Sequence, residues 1–294
     1  MERVTKIAVC GAGIMGHGIA QVAATAGLGV RLMDVDATAL DRARTKISDS
    51  LRKLEDKGKL TAQEVADSIS RIELTRSLEA AVADAQIVIE SVPEVLELKR
   101  AVFQEADRVA APGTILASNT SQFSITAIAA ATRRPTLVVG MHWFSPPVLM
   151  RLIEVVRGFE TSDETVDTVV ELSRALGKVP IVCRRDSPGF VTTRLIAVLT
   201  NEAQRLVDEG LASAAEVDAA CRLAFGHPMG PFQTSDLTGL DTQLRVREAL
   251  AAAHGDRFRP TNLLRTLVAA GHLGRKTGRG FYRYGEDGKL TLDP

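Results

Sequence analysis

Two residues with acid–base chemistry stand twelve positions apart, each inside an apolar segment: His142 in GMHWFSPP (140–147) and Glu154 in LIEVV (152–156). Imidazole has an unperturbed pKa of about 6.5, so it takes or gives a proton near neutral pH. A carboxylate beside it fixes the tautomer and stabilises the imidazolium formed on proton abstraction. The twelve-residue separation fits a hairpin-like return of one strand on the next, which would bring Glu154 beside His142. A lone strand-end histidine is more often a structural residue. Here the acid partner and a nearby nucleotide fingerprint favour a general base. Ser118-Asn119-Thr120-Ser121 follows another apolar run directly, so it also projects into the crevice at the carboxyl ends of the strands.

That fingerprint is Gly11-Ala12-Gly13-Ile14-Met15-Gly16, after the β-branched run Ile7 to Val9. A lone GxGxxG is weak evidence. Its context strengthens it. Ile19, Val22, Ala23 and Ala26 follow at helical spacing, Gly27 stops the helix, and a second apolar run ends in Asp34. Gly11 permits the tight turn, Gly13 lets the backbone approach a pyrophosphate, and Gly16 allows close helix–strand packing. Ile14 and Met15 belong to the same binding turn. The pyrophosphate would sit on the exposed amides of the helix N-terminus. Asp34 would accept from both ribose hydroxyls and repel a 2′-phosphate, so NAD is expected over NADP. The plainer reading is a glycine-rich turn with no ligand. Together, nucleotide and histidine suggest hydride transfer with a proton-handling base.

The elements that must position these groups follow from periodicity. Strands are predicted at 6–10, 30–34, 72–74, 87–91, 115–118, 137–142, 152–156 and 179–183, with helical stretches between most of them. That alternation predicts an α/β fold: a Rossmann-type, doubly wound, largely parallel sheet. After Pro188-Gly189 strand signals vanish, and helical patterns cover 192–210, 213–225, 239–254 and 262–270. The expected division is a nucleotide-binding domain over 1–185, with a helical insertion near 37–70, and an all-helical C-terminal domain over 186–294.

Within the insertion, 37–59 reads as one long helix and 62–70 as its short partner. The long helix carries Arg42, Arg44, Lys46, Arg52, Lys53, Lys57 and Lys59. These form either a solvated face balanced by Asp41, Asp49, Glu55 and Asp56, or a basic flap over a phosphorylated substrate tail.

Formal net charge is zero over 294 residues, so no polyanion partner is implied for the whole surface. No segment reaches the length of a membrane span. The basic and apolar start could mimic a secretory signal, but its apolar stretch is broken by glycines and continuous with the fingerprint. Cys10, Cys183 and Cys221 are scattered and odd in number. They suggest neither a metal site nor a disulfide framework, and a reducing cytoplasm is expected.

The chain resembles the L-3-hydroxyacyl-CoA dehydrogenase family over nearly its whole length. The resemblance rests on GAGIMGHGIAQ (11–21), VIESVPEVLELK (88–99), LASNTSQFSIT (116–126), GMHWFSPP, LIEVV, DSPGFVTTR (186–194), GHPMGPF (226–232), DLTGLD (236–241) and GRKTGRGFY (274–282). It implies NAD-dependent oxidation of short-chain (3S)-3-hydroxyacyl-CoA, typified by 3-hydroxybutyryl-CoA, to 3-oxoacyl-CoA, or the reverse. It implies NAD contacts at Gly11, Gly13, Gly16, Asp34, Glu94, Lys99, Ser121 and Lys276, and CoA contacts at Ser50 and Lys57. It implies a catalytic pair, His142 and Glu154, a hydroxyl-orienting Ser121, and a homodimer formed through the helical domain. Two positions depart from the family pattern. Ser145, on the cofactor side, and Thr193, on the catalytic side, stand where many relatives carry Asn, giving a shorter hydroxyl donor for an amide. Two other functions stay open at this point: the same chemistry on an acyl-carrier-protein thioester, and a non-catalytic NAD-binding relative.

Overall fold

The computed structural model describes residues 4–291. They form two compact units that divide between Phe190 and Val191. The first holds eight strands: β1 (Lys6–Cys10), β2 (Gly29–Met33), β3 (Ile72–Thr75), β4 (Ile87–Glu90), β5 (Ile115–Ser118), β6 (Val138–Trp143), β7 (Leu152–Arg157) and β8 (Val179–Cys183). Its helices are α1 (Ile14–Thr25), α2 (Ala37–Asp56), α3 (Ala62–Ser70), α4 (Leu78–Val82), α5 (Leu96–Val109), α6 (Ile125–Ala129) and α7 (Asp163–Ala175).

The strands make one sheet in the order β3-β2-β1-β4-β5-β6-β7-β8. All pairings are parallel except β6 with β7. The expected doubly wound, largely parallel sheet is therefore present. Its central strands are mostly apolar and buried because both faces are covered. In β1, Ile7 and Val9 join one buried cluster with α1 and α2 residues, while Ala8 and Cys10 join another with Phe103 and Ala106 of α5. Successive side chains alternate faces, so each strand feeds both cores. The order reverses beside β1, where β2 lies on one side and β4 on the other. That switch point opens the crevice in which ligands of such sheets bind.

Most boundaries fall within a residue or two of the sequence reading, and the division between the units lies at 190/191 rather than 185/186. Three of the differences bear on the site. The long insertion helix ends at Asp56 rather than at residue 59, because Gly58 turns the chain at φ +64°. Asp34 lies one residue past β2. His142 does not close its strand, because Trp143 donates its amide to Asn119 Oδ1 at 2.8 Å and carries β6 one residue further.

The second unit is helical, with α8 (Thr192–Asp208), α9 (Ala214–Phe225), α10 (Pro231–Thr238), α11 (Leu240–His254) and α12 (Asn262–Ala269). Among the described residues its only β pairings are isolated bridges, such as Tyr284 with Leu290. Ser213 and Glu216 close a reciprocal capping box at the start of α9. The sequence reading missed α10. It is short and has no apolar stripe. Two carboxylate oxygens of buried Asp218 accept from the Phe232 and Gln233 amides and hold its first turn.

Candidate active site

The glycine turn is built as a nucleotide cradle. A Cβ on Gly16 would lie 1.7 Å from the Gly11 carbonyl oxygen, so only glycine lets α1 start this close to β1. Gly11 sits at φ +104°, with its Cα facing the Ser91 carbonyl oxygen. Gly13 is different, because a Cβ there would meet no protein atom within 4 Å. Its side faces open space at the N-terminus of α1, a helix with no side-chain N-cap. The unfilled amides and partial positive charge of that terminus suit an anionic group. A cavity of about 610 Å³ adjoins them, lined among others by Gly11, Gly13, Ile14, Met15 and Asp34. Asp34 is held by two amides: Oδ2 accepts from Ala12 at 2.7 Å and Oδ1 from Asp36 at 3.0 Å. A locked carboxylate at the end of β2, facing a glycine-lined cavity, fits a dinucleotide with free ribose hydroxyls.

His142 and Glu154 are direct cross-strand partners in the antiparallel β6–β7 pair. Their side chains therefore share one face at the closest spacing a sheet offers. His142 Nδ1 lies 2.6 Å from Glu154 Oε2, with His142 7% exposed and Glu154 fully buried. An ionised carboxylate only accepts, so the contact places a proton on Nδ1 and leaves Nε2 as the basic nitrogen. Phe144 and Phe190 pack on the ring, with centroids 4.5 and 5.9 Å away, both tilted.

A second network carries Ser121. Lys99 is 1% exposed, and its Nζ lies 2.8 Å from Glu90 Oε1 and 3.1 Å from Glu94 Oε2. Glu94 Oε1 accepts from Thr120 Oγ1 at 2.6 Å and from the Ser121 amide at 3.0 Å. Glu90 Oε2 accepts from Ser118 Oγ at 2.7 Å. The ends of β4 and β5 are thus tied through one buried ammonium. Burial pushes the Glu90 carboxyl above the ordinary carboxylate range, and Lys99, Ser118 and the Val92 amide pull it back. Burial also raises the Cys10 thiol to about 12, with the Glu90 charge adding to it, so this cysteine is inert beside the cavity.

Sequence reasoning did not single out Glu90, Asn119, Phe144 or Phe190. Asn119 bridges three strand ends: its Oδ1 accepts from Trp143 and its Nδ2 donates to Ser91 Oγ at 3.2 Å. Ser145 follows Phe144 in the loop leaving β6. Ser50 and Lys57 lie on the insertion, Ser50 within α2 and Lys57 as its exposed C-cap. Thr193 and Lys276 belong to the second unit. Thr193 is in the first turn of α8, and Lys276 ion-pairs with Asp241 there at 2.6 Å. Among the described residues, no three metal-ligating side chains are grouped to hold an ion.

A parallel sheet with this cradle defines an NAD-binding oxidoreductase architecture. The family model for the NAD-binding domain of 3-hydroxyacyl-CoA dehydrogenase matches residues 6–187, and that for its C-terminal domain matches 189–284. A probable 3-hydroxybutyryl-CoA dehydrogenase of Deinococcus radiodurans is 46% identical, covering 95% of this chain and 100% of its own. The 3-hydroxybutyryl-CoA dehydrogenase of Clostridioides difficile is 41% identical, covering 95% and 99%. The crystal structure of (S)-3-hydroxybutyryl-CoA dehydrogenase from Ralstonia eutropha superposes with a TM-score of 0.93 at 42% identity, covering 96% of this chain and all of that one. The chain belongs to the 3-hydroxyacyl-CoA dehydrogenase family. It is an NAD-dependent oxidoreductase of that family.

Proposed function

We propose that the chain oxidises short-chain (3S)-3-hydroxyacyl-CoA, with 3-hydroxybutyryl-CoA as the type substrate, and also runs the reaction in reverse. The observation that carries this reading is the buried 2.6 Å contact between His142 Nδ1 and Glu154 Oε2. Bound NAD supplies the acceptor for the hydride that leaves C3. His142 Nε2 takes the proton of the 3-hydroxyl group. Glu154 stabilises the imidazolium that forms, and the low-dielectric surroundings strengthen that attraction. Ser121, tethered by Glu94, helps to orient the hydroxyl. Gly11, Gly13, Ile14, Met15 and Gly16 would hold the pyrophosphate, Asp34 the adenosine ribose, and Glu94, Ser145 and Lys276 further parts of the cofactor. Lys99 would act on the cofactor through Glu94 rather than directly, since its ammonium is buried against two carboxylates. Thr193 would complete the substrate side. NADH consumption measured side by side with acetoacetyl-CoA, longer 3-oxoacyl-CoAs and a carrier-protein thioester tests the substrate class. Turnover on the carrier protein alone would move the assignment, and cofactor binding without any turnover would end it.

Cofactor choice is expected to rest on Asp34. Its carboxylate repels a 2′-phosphate, so kcat/KM with NADPH should be far below that with NADH. Comparable values for the two cofactors would show that Asp34 does not read the ribose.

Ser50 and Lys57 are proposed to contact the CoA nucleotide. Lys57 is exposed at the end of α2. Lys57→Ala should raise KM for acetoacetyl-CoA and leave KM for NADH nearly unchanged. An exposed lysine–phosphate contact is modest and screened by salt. The wild-type KM should therefore rise with ionic strength more than that of the variant. An acetoacetyl pantetheine thioester, which lacks the nucleotide, should not distinguish the two proteins. Equal impairment on that short thioester would rule out the phosphate role.

A homodimer through the helical unit is also proposed. Leu195 on α8 and Leu223 and Phe225 on α9 are exposed apolar side chains that an interface would cover. Light scattering reads the mass directly, and a monomer at micromolar concentration would contradict it. Three free, buried cysteines suit a cytoplasmic, reducing compartment.

A further inference from the structure

Lys178 has no part in the chemistry described above, yet it is 9% exposed and ion-pairs with no carboxylate among the described residues. Burial lowers its pKa. An ammonium in such a place needs acceptors, and these are backbone carbonyls. Nζ donates to the Pro147 oxygen at 2.6 Å and to the Met150 oxygen at 2.8 Å. It also stands over the Trp143 ring, 5.6 Å from the centroid. All three partners flank or lie in the loop between β6 and β7. Hydrogen bonds from a charged donor are about twice as strong as neutral ones, so this is a firm clip on an otherwise irregular segment.

That loop begins two residues after His142. Trp143 is its root, and Phe144 packs its ring on the imidazole. Its far side rests on α1. A Cβ on Gly18 would lie 2.9 Å from Pro147 Cδ, 3.0 Å from Cγ and 3.2 Å from Cβ. The loop is therefore held from two sides, by Lys178 at the start of β8 and by the bare face of Gly18 on α1. Both sides meet at Pro147, three residues along the chain from Phe144, which packs on the imidazole.

We propose that Lys178 is a positioning residue for the reaction: through the 144–150 loop it holds Phe144, and thereby the His142 ring, in the orientation that presents Nε2 to the substrate hydroxyl. The inference rests on His142 being the base. A misplacement of about 1 Å can cost on the order of 10²-fold in rate, and a loosened loop should cost part of that.

Lys178→Met keeps the stem and removes the donors. Its kcat with acetoacetyl-CoA is expected to fall about tenfold, while the Kd for NADH rises by less than about threefold, because the glycine turn and Asp34 lie on other strands and Ser145 alone of the proposed cofactor contacts sits in this loop. Lys178→Arg retains donors for both carbonyls, and the neighbouring cavity of about 480 Å³ gives the larger head room. It is expected to recover most of the lost kcat. The second lever is Gly18→Ala. Alanine adds roughly 1 kcal/mol of helix propensity, which offsets part of the cost of displacing Pro147, so Tm should change by only a few degrees while kcat falls. A residue that served stability alone would not give that combination.

The cycle with His142→Gln separates the two readings. If Lys178 acts through His142, adding Lys178→Met to His142→Gln should lower kcat by less than about twofold, a strongly non-additive result. Additive losses overturn the proposal, as does a Lys178→Met enzyme with lowered Tm and unchanged kcat. Should Lys178→Met fail to fold, Gly18→Ala decides: an unchanged kcat overturns the proposal. Near-normal turnover in His142→Gln alone would instead sink the assignment of the base, whatever the Lys178 variants do.

Discussion

His142→Gln is expected to lose between about 10² and 10⁴ of turnover while NADH binding stays intact. Glutamine keeps polar reach and approximate volume but has no basic nitrogen. The dinucleotide cradle lies on β1, β2 and α1, whereas His142 is on β6, so binding and chemistry should separate cleanly. NADH titration by fluorescence and steady-state kcat, measured on one preparation, check both halves. Turnover within about threefold of wild type would remove His142 as the base. Glu154→Gln should also slow turnover, and its pH–rate profile should move, because the imidazolium loses the anion facing Nδ1 at 2.6 Å. A profile that did not move would leave Glu154 as a purely structural acid.

The parts of this site that were legible in the sequence are those set by backbone periodicity. Gly11 needs a positive φ and Gly16 needs space that no side chain tolerates, while Gly13 leaves the helix terminus open, so their spacing, with the strand and helix around it, marks the turn. The 142–154 separation carried the pairing, because a return across two antiparallel strands fixes which residues face each other. Side-chain-to-backbone links were not legible. Asn119 and Lys178 bind partners chosen by the fold, and carbonyls and amides carry no residue identity. Glu90 and Lys99 left a trace. Leu96, Lys99, Phe103 and Ala106 stand at helical spacing on one face of α5, so a lysine in that apolar stripe implied a buried counter-charge. The matching acid, Glu90, ends a strand that is otherwise apolar, and both groups belong to one ion pair.

That pair yields the largest expected loss of stability. Lys99→Met keeps the length and apolar stem of the side chain but leaves Glu90 ionised, 1% exposed and without its cation. Breaking a buried pair in this way typically costs about 3–5 kcal/mol. For a unit of this size that lowers Tm by on the order of 10 °C. The pH dependence has a definite sign. Burial already holds the Glu90 carboxyl above the ordinary carboxylate range, and loss of Lys99 raises it further. A group whose folded pKa is raised binds more protons folded than unfolded, so its contribution is fully present below the unfolded carboxylate range and is lost as pH rises through the folded value. The deficit of Lys99→Met relative to wild type should therefore be largest at neutral pH and shrink towards the carboxylate range near pH 4–5. Adding Glu90→Gln removes the charge, and the double variant should regain part of the loss: the amide oxygen still accepts from the Val92 amide, and Ser118 Oγ, which donates to the second carboxylate oxygen in the wild type, can turn to accept from the glutamine Nε2. Thermal melts of the three proteins at two pH values read all of this. A Lys99→Met protein melting within about 2 °C of wild type at neutral pH, or a deficit that widened on acidification, would show that Lys99 is not what makes an ionised Glu90 tolerable beneath the Ser121 loop.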